Sequence, residues 1–376
     1  MKPRVLMVGR TRYRLPLNPS LARKFDALRE RLDLRVLAAA PRGAPNGDAT
    51  FALQRGTAVR PLDGPRFYGT LPIRIARELR RAPADAVLTQ SPYEALAALA
   101  GRKLARSDAA VVVEIHGDWR TWSRLYGSRA RAVVSPLADR AALVAIRGAD
   151  AVRTLSSFTT AIVREAGVEP AGTFTTYTEL TAFSEPPVEA LPERPTALFI
   201  GVLERYKNIH AIADAWRLAA PRVPHARLRI VGDGRHQDVV EQLLRDLPLQ
   251  VTWERRLETP DVVRAFDDAW LLLLASRSEG TPRVVLEALC RGRAVVGART
   301  GGIPDVVWHE ETGLLVDPDR PHEIADALVR VLSDRALAER LGDGGHAHAS
   351  EWTYTADEYA DSVLELVATA VADRRA

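Results

Sequence analysis

Ser276-Arg277-Ser278-Glu279-Gly280-Thr281-Pro282-Arg283-Val284-Val285-Leu286-Glu287-Ala288 follows an unbroken apolar run at 270–275. Six apolar residues without alternation read as a strand covered on both faces. Thr281 suits a helix N-cap and Pro282 the first helical position. A helix is therefore expected over 282–291, with Gly292 as its stop. A second buried strand is expected over 293–298. Glu279 then sits in the turn at a strand's carboxyl end, and Glu287 lies on the second turn of the following helix. Open α/β sheets bind ligands in the crevice outside the carboxyl ends of their strands, and helix-start amides there favour anions. A surface acid and a helix acid on any βαβ unit would look the same, so the surrounding chain has to decide.

Working outward, the strand–helix rhythm continues. Strands are expected at 197–200, 227–231 and 251–253, and Leu314 to Val316 reads as one more. Several tips carry glycine: Gly201 before Val202-Leu203-Glu204-Arg205-Tyr206-Lys207-Asn208, then Gly232-Asp233-Gly234, Gly280, and Thr300-Gly301-Gly302-Ile303-Pro304. Glycine turns permit close backbone approach and can aim amides at an anion. Lys207 can serve as a point charge for phosphate, and Arg205 as a bidentate donor. One such turn is weak evidence; four at strand tips exceed what packing needs.

Towards the N-terminus, strands are expected at 4–8, 34–40, 86–88, 110–115 and 151–154. A helix capped by Asn18 or Ser20 should run to about 31, with Leu21, Phe25, Leu28 and Leu32 inward. Strands alternating with helices imply parallel, doubly wound sheets. His116-Gly117-Asp118 directly follows the strand 110–115, where an imidazole can reach a phosphate or a hydroxyl, or simply bond a neighbouring loop. The segment 185–195, with Pro186, Pro187, Pro192 and Pro195, reads as a linker. Two domains follow, 1–184 and 196–353. A closing helical pattern at 354–376 could pack on either.

The chain has 376 residues, 47% apolar and 27% charged, which suits two soluble globular domains. A single cysteine, Cys290, excludes a disulfide framework and reads as a small core residue. No apolar stretch matches a signal peptide or a bilayer span, so a cytoplasmic setting is expected. The charge is uneven: residues 1–183 hold 29 Lys and Arg against 16 Asp and Glu, and the remainder 23 against 32. A basic first half facing an acidic second half suggests an anionic partner for the former, though arginine-rich usage alone would also produce it. Trp119, Arg120, Trp122, Arg124, Tyr126, Arg129 and Arg131 suit an anionic membrane surface, a mobile acceptor loop or a solvated helix. Asp317-Pro318-Asp319 reads as a turn, and the histidines lack metal spacing. There is no phosphate-binding loop ending in Gly-Lys-Ser/Thr and no dinucleotide glycine fingerprint after the first strand.

Several motifs resemble the GT-B glycosyltransferases of the retaining family-4 type. They are Glu279 and Glu287 separated by seven residues, Leu228 to Gly234, Thr300-Gly-Gly-Ile-Pro-Asp305, Glu311 to Pro318, and His116-Gly117. The resemblance implies two doubly wound Rossmann-like domains facing a cleft, with the last helix crossing back to the first. By it, the second domain holds a nucleotide sugar, with UDP favoured and GDP open, and no metal or cofactor is needed. Glu287 would bind the ribose, and Glu279 the donor sugar near the reacting carbon. Lys207 and the amides of Thr281, Pro282-flanking residues and Arg283 would hold the diphosphate, and His116 would lie near the sugar. The first domain would take the acceptor: a glycan, a lipid-linked or a small-molecule hydroxyl, with no nucleic acid expected. A nucleotide-sugar epimerase or a non-catalytic glycan- or lipid-binding scaffold of the same fold remain the alternatives. Three positions depart from the family pattern. Val202 stands where an arginine is usual, with Arg205 as its candidate substitute; Thr176-Tyr177-Thr178-Glu179 replaces Asn-Gly-Val-Asp; and Gly9-Arg10-Thr11-Arg12 replaces a glycine-rich loop.

Overall fold

The computed structural model describes residues 2–41, 47–56, 62–120 and 129–375, with the backbone alone at 129–135. The chain divides into two compact units, residues 1–177 with 354–376, and residues 178–353. Among the described residues no helix is long and apolar enough to cross a membrane.

The first unit holds seven strands: β1 (Arg4–Arg12), β2 (Asp33–Ala40), β3 (Phe51–Arg55), β4 (Ala86–Thr89), β5 (Ala110–Ile115), β6 (Ala151–Thr154) and β7 (Gly172–Thr173). They pair in parallel in the order β3-β2-β1-β4-β5-β6-β7, so the strand order reverses between β1 and β4. Strand alternation sends Val5 and Met7 into one core and Leu6 and Val8 into the other. The first core is covered by the helix Pro19–Arg31 and by the chain's last helix, Ala356–Arg375. Asn18 caps the first of these, its side chain accepting from the Leu21 amide at 2.9 Å. β3 and β7 are additional to the strands expected. β3 lies at a sheet edge, with Phe51 and Leu53 turned to the first core, Ala52 packed on the other, and Gln54 and Arg55 breaking the apolar pattern.

The second unit holds six: β8 (Thr196–Ile200), β9 (Arg227–Val231), β10 (Val251–Glu254), β11 (Leu271–Leu274), β12 (Ala294–Ala298) and β13 (Gly313–Val316), parallel in the order β10-β9-β8-β11-β12-β13. The reversal falls between β8 and β11, which places the tips of these two strands at the crevice.

Two expectations need correction. Residues 185–195 are not a loosely packed linker. Buried Arg291 donates to the carbonyls of Pro186 and Pro187, each at 2.8 Å, Arg293 to that of Glu189 at 2.8 Å, and the Trp270 indole to that of Pro192 at 2.8 Å. The proline-rich segment offers carbonyls, and the body of the second unit supplies the donors. The helix expected from Pro282 begins one residue later, at Arg283–Cys290, because Pro282 is extended at ψ 105 and caps without a side-chain bond. Its end follows the expected glycine stop. Gly292 has φ +60, its amide donates to Leu289 and the Arg293 amide to Ala288, which is the paired bonding of a Schellman motif. Of the arginine-aromatic stretch 119–131, residues 121–128 lie outside the described residues. Trp119 is a core residue at 5% exposure, and Arg120 pairs with Asp118 and Glu165.

Candidate active site

Three loops meet at the tips of β8, β11 and β12. After β8, the chain passes Gly201 and enters a short 3-10 turn, Arg205–Lys207. Asn208 then takes a left-handed conformation at φ +59. Its side-chain amide donates to the carbonyls of Ala275 at 3.1 Å and Pro318 at 2.7 Å, which ties this turn to the loops after β11 and β13. The Arg277 amide donates to the Tyr206 carbonyl at 2.8 Å, a second tie across the same gap.

These ties bring Lys207 and Glu279 together. The Lys207 ammonium donates to Glu279 Oε1 at 2.6 Å, and both side chains are about nine-tenths covered. A charge pair this enclosed is screened less by salt than a surface pair. The Tyr206 ring lies 5.4 Å from the ammonium. Burial pushes the Tyr206 phenol up to about 12, with the carboxylates of Glu279 and Glu204 adding to the effect.

Glycine sets the spacing of the tips. Gly301 has φ +59, and a Cβ there would stand 2.2 Å from the Glu279 carbonyl oxygen, which accepts the Gly302 amide at 3.2 Å. Gly232 has φ +153, and its Cβ would stand 1.9 Å from the Gly201 carbonyl oxygen. Both positions demand glycine twice over, by backbone conformation and by lack of room. The loop Gly280-Thr281-Pro282 leads from Glu279 into the helix Arg283–Cys290. On that helix Glu287 is 7% exposed and accepts from Arg283 Nε at 2.7 Å. Burial raises the Glu287 pKa, while Arg283 pulls it the other way. Arg283 also reaches the Glu179 carbonyl at 3.3 Å.

Thus Lys207 pairs with Glu279 and Arg283 with Glu287, on loops that the glycines hold close. Arg205 projects outward; among the described residues its guanidinium has no ion-pair or hydrogen-bond partner, and neighbouring Val202 is 46% exposed. Asp317 accepts the Asp319 amide at 2.9 Å and Asp319 pairs with Arg277, so both aspartates have local work in a turn. His116 stands in the first unit just after β5, its side chain 40% exposed, with Nε2 3.4 Å from Glu114 Oε2. Sequence reasoning passed over Asn208 and Tyr206, which lock the Lys207 turn, and Glu114, which lies under His116. Asn208 carried a signal, since asparagine is among the few residues that enter the left-handed region readily.

The chain matches two family profiles, Glycosyltransferase Family 4 over residues 20–176 and Glycosyl transferases group 1 over residues 183–348. It is 27% identical over 168 residues to a sulfoquinovosyl transferase of Arabidopsis thaliana, covering 44% of this chain and 32% of the relative. It is 29% identical over 180 residues to a D-inositol 3-phosphate glycosyltransferase of Corynebacterium glutamicum, covering 45% and 43%. It is 31% identical over 171 residues to a GDP-mannose-dependent phosphatidylinositol monomannoside mannosyltransferase of Mycobacterium tuberculosis, covering 43% of each. The matches thus span less than half the length of these relatives. In fold, the chain superposes on a sucrose-phosphate synthase of Thermosynechococcus elongatus with a TM-score of 0.72 at 18% identity, covering 93% and 95% of the two chains. It also superposes on the Anabaena protein HepE in complex with UDP-glucose, with a TM-score of 0.68 at 17% identity, covering 96% and 98%. With one profile on each unit and the two parallel sheets between them accounting for the fold, the chain belongs to the GT-B glycosyltransferases of the family-4, group 1 type.

Proposed function

We propose that the protein is a retaining, metal-independent glycosyltransferase that moves a sugar from a nucleotide-diphosphate sugar to a hydroxyl of a glycan, lipid-linked or small-molecule acceptor. The observation that carries this reading is the enclosed Lys207–Glu279 pair at the β8 and β11 tips, with Gly201, Gly232, Gly301 and Gly302 closing the backbone around it. In this reading Lys207, Arg205 and the amides of the 280–283 loop take up the charge that develops on the departing diphosphate. Glu287 accepts the ribose hydroxyls. Glu279 faces the donor sugar and, until the donor arrives, keeps Lys207 aimed at the phosphate position. The acceptor hydroxyl attacks on the face the diphosphate leaves, so configuration is retained.

A UDP-sugar is the favoured donor, with a GDP-sugar second; relatives and neighbours whose names carry UDP-glucose and GDP-mannose support both. For the acceptor we favour a molecule with an anionic group. In the first unit Arg10, Arg12, Arg55 and Arg66 line one concavity at the carboxyl ends of β1 and β3, beside Gln54 and a single carboxylate, Asp63. Arg12 pairs with Asp63, and an anion would relieve the repulsion among the guanidinium groups that remain. We place the reaction in the cytoplasm, with this basic unit as the side that would meet an anionic membrane.

The test is direct. Purified protein is screened by thermal shift against UDP-, GDP- and ADP-sugars, and the binding donor is then supplied with acceptors that differ only in a phosphate group. The true donor raises the melting temperature, by about 2.7 kcal/mol of stabilisation at a hundredfold excess over Kd. Product NMR should show the anomeric configuration of the donor. Inversion, or donor turnover that needs no acceptor, would sink the assignment.

A further inference from the structure

The first unit contains a buried ion pair directly beneath His116. Glu114 is the fifth residue of β5, and alternation puts it on the same face as Val112, in the core that the last helix covers. A carboxylate there is costly unless paired. Its cross-strand neighbour in the β5–β6 register is Arg153. Arg153 Nη1 bonds Glu114 Oε1, and the two side chains are 0% and 2% exposed. Arg153 is itself held. Its Nη2 donates to the carbonyls of Phe174 at 2.9 Å and Thr175 at 2.8 Å. Its guanidinium lies 3.9 Å from the Phe174 ring and 5.5 Å from that of Tyr359, on the last helix. Lys24, on the first helix, lies over the other end of this assembly, 4.7 Å from the Tyr359 ring. The remaining Glu114 oxygen, Oε2, faces His116 Nε2.

Burial works against ionisation of Glu114, but Arg153 and His116 outweigh it and hold the carboxyl down at about 2. Glu114 is therefore an anion at neutral pH. A buried arginine–glutamate pair gives a core no stability that apolar residues of the same size would not give. This one leaves an oxygen turned to a half-exposed histidine, an arrangement that sets ring orientation and tautomer wherever a carboxylate backs an imidazole.

We propose that Glu114 is the positioning residue for His116. It accepts the Nε2 proton, fixes the ring, and leaves Nδ1 as an acceptor for a substrate hydroxyl. Arg153, clamped between Phe174 and Tyr359, keeps Glu114 in place, so the last helix of the chain supports the histidine from below. The functional part of this inference rests on the transferase reading, in which His116 serves the sugar; the positioning part does not.

Nitrogen-15 NMR of the histidines in the full chain separates the two, with His116 assigned from its loss in H116Q. In the wild type, neutral His116 should carry its proton on Nε2. Glu114→Gln should abolish that preference, because the carboxylate that accepts the Nε2 proton is lost. The same variant should cut kcat about tenfold with the donor KM unchanged, and adding it to H116Q should cost nothing further. If E114Q leaves Arg153 buried without a counter-charge and the protein unfolds, the double variant E114Q/R153M keeps the core neutral and is read in the same way. An unchanged tautomer in the folded variant would overturn the proposal, as would full additivity with H116Q. An H116Q protein with wild-type turnover would instead overturn the role of the histidine, whatever the NMR shows of its orientation.

Discussion

Two acids, one in the loop after β11 and one on the helix that follows it, are expected to fail differently. Glu279 is paired with Lys207 across 72 residues of sequence, and Glu287 with Arg283 on its own helix. Glu279→Ala removes the partner that aims the ammonium, so kcat should fall by about two orders of magnitude while the donor KM changes little. Glu287→Gln should mainly raise the donor KM. Steady-state kinetics with saturating acceptor decides it, and a change in KM alone for both would refute the division. Sequence spacing exposed these two glutamates and Lys207 as candidates, because turn and helix positions are local. It did not expose that Glu279 would meet Lys207, because that depends on how Asn208 ties three loops together. A third acid behaves differently again. Glu94 is 2% exposed, and burial lifts its carboxyl to about 7, against the counter-pull of its own backbone amide, Tyr68 and Arg10. The folded state therefore keeps a proton that the unfolded chain releases near 4.5. Stability should decline as pH rises from about 4.5 to 7, and level off above, by about 3 kcal/mol at most. Glu94→Gln should flatten that decline in urea melts recorded across the window; an unchanged slope would show that Glu94 is not its source.

At the level of elements, strands covered on both faces announce themselves as apolar runs, and β5 and β11 fall where the runs place them. β3 escapes because this short edge strand ends in Gln54 and Arg55 and shows no apolar run, and β7 because two residues carry no period. The segment 185–195 escapes for another reason: it is held through its carbonyls, which composition does not register. The glycine tips were legible, and their energetic role can be separated from backbone strain by comparing two substitutions. Gly301→Ala meets both φ +59 and the Glu279 carbonyl at 2.2 Å. Gly167→Ala meets φ +79 with nothing within 4 Å. Both should lose about 1–2 kcal/mol to the left-handed backbone. Gly301→Ala should in addition displace the Glu279 loop and lower kcat at least about tenfold, while Gly167→Ala keeps wild-type turnover. Equal activities would mean that the 276–282 loop tolerates the extra methyl.

Over the whole molecule, the chain closes its first unit with its last helix. The apolar pattern of 354–376 was legible, but amphipathic periodicity says that a face is buried and not against what, so the first unit as its partner was implied by the family resemblance alone. In the structure Tyr359, Val363, Leu366 and Val367 are each at most 3% exposed and lie in one core with Val5, Met7, Phe25 and Leu88. At about 1.5–3 kcal/mol for each large apolar side chain, and taking that as an upper estimate, these four supply about as much as the net stability of an entire domain, about 5–15 kcal/mol. Truncation after Thr353 should therefore unfold the first unit and spare the second, whose residues 178–353 form a separate compact body. Hydrogen exchange read by mass spectrometry should show β1, β4 and β5 losing protection while β8, β11 and β12 keep it. The truncated protein should still bind its nucleotide sugar and transfer nothing. Retained protection in β1 would mean that the last helix is an accessory rather than a wall of that core, and the clamp on Arg153 through Tyr359 would lose its structural basis with it.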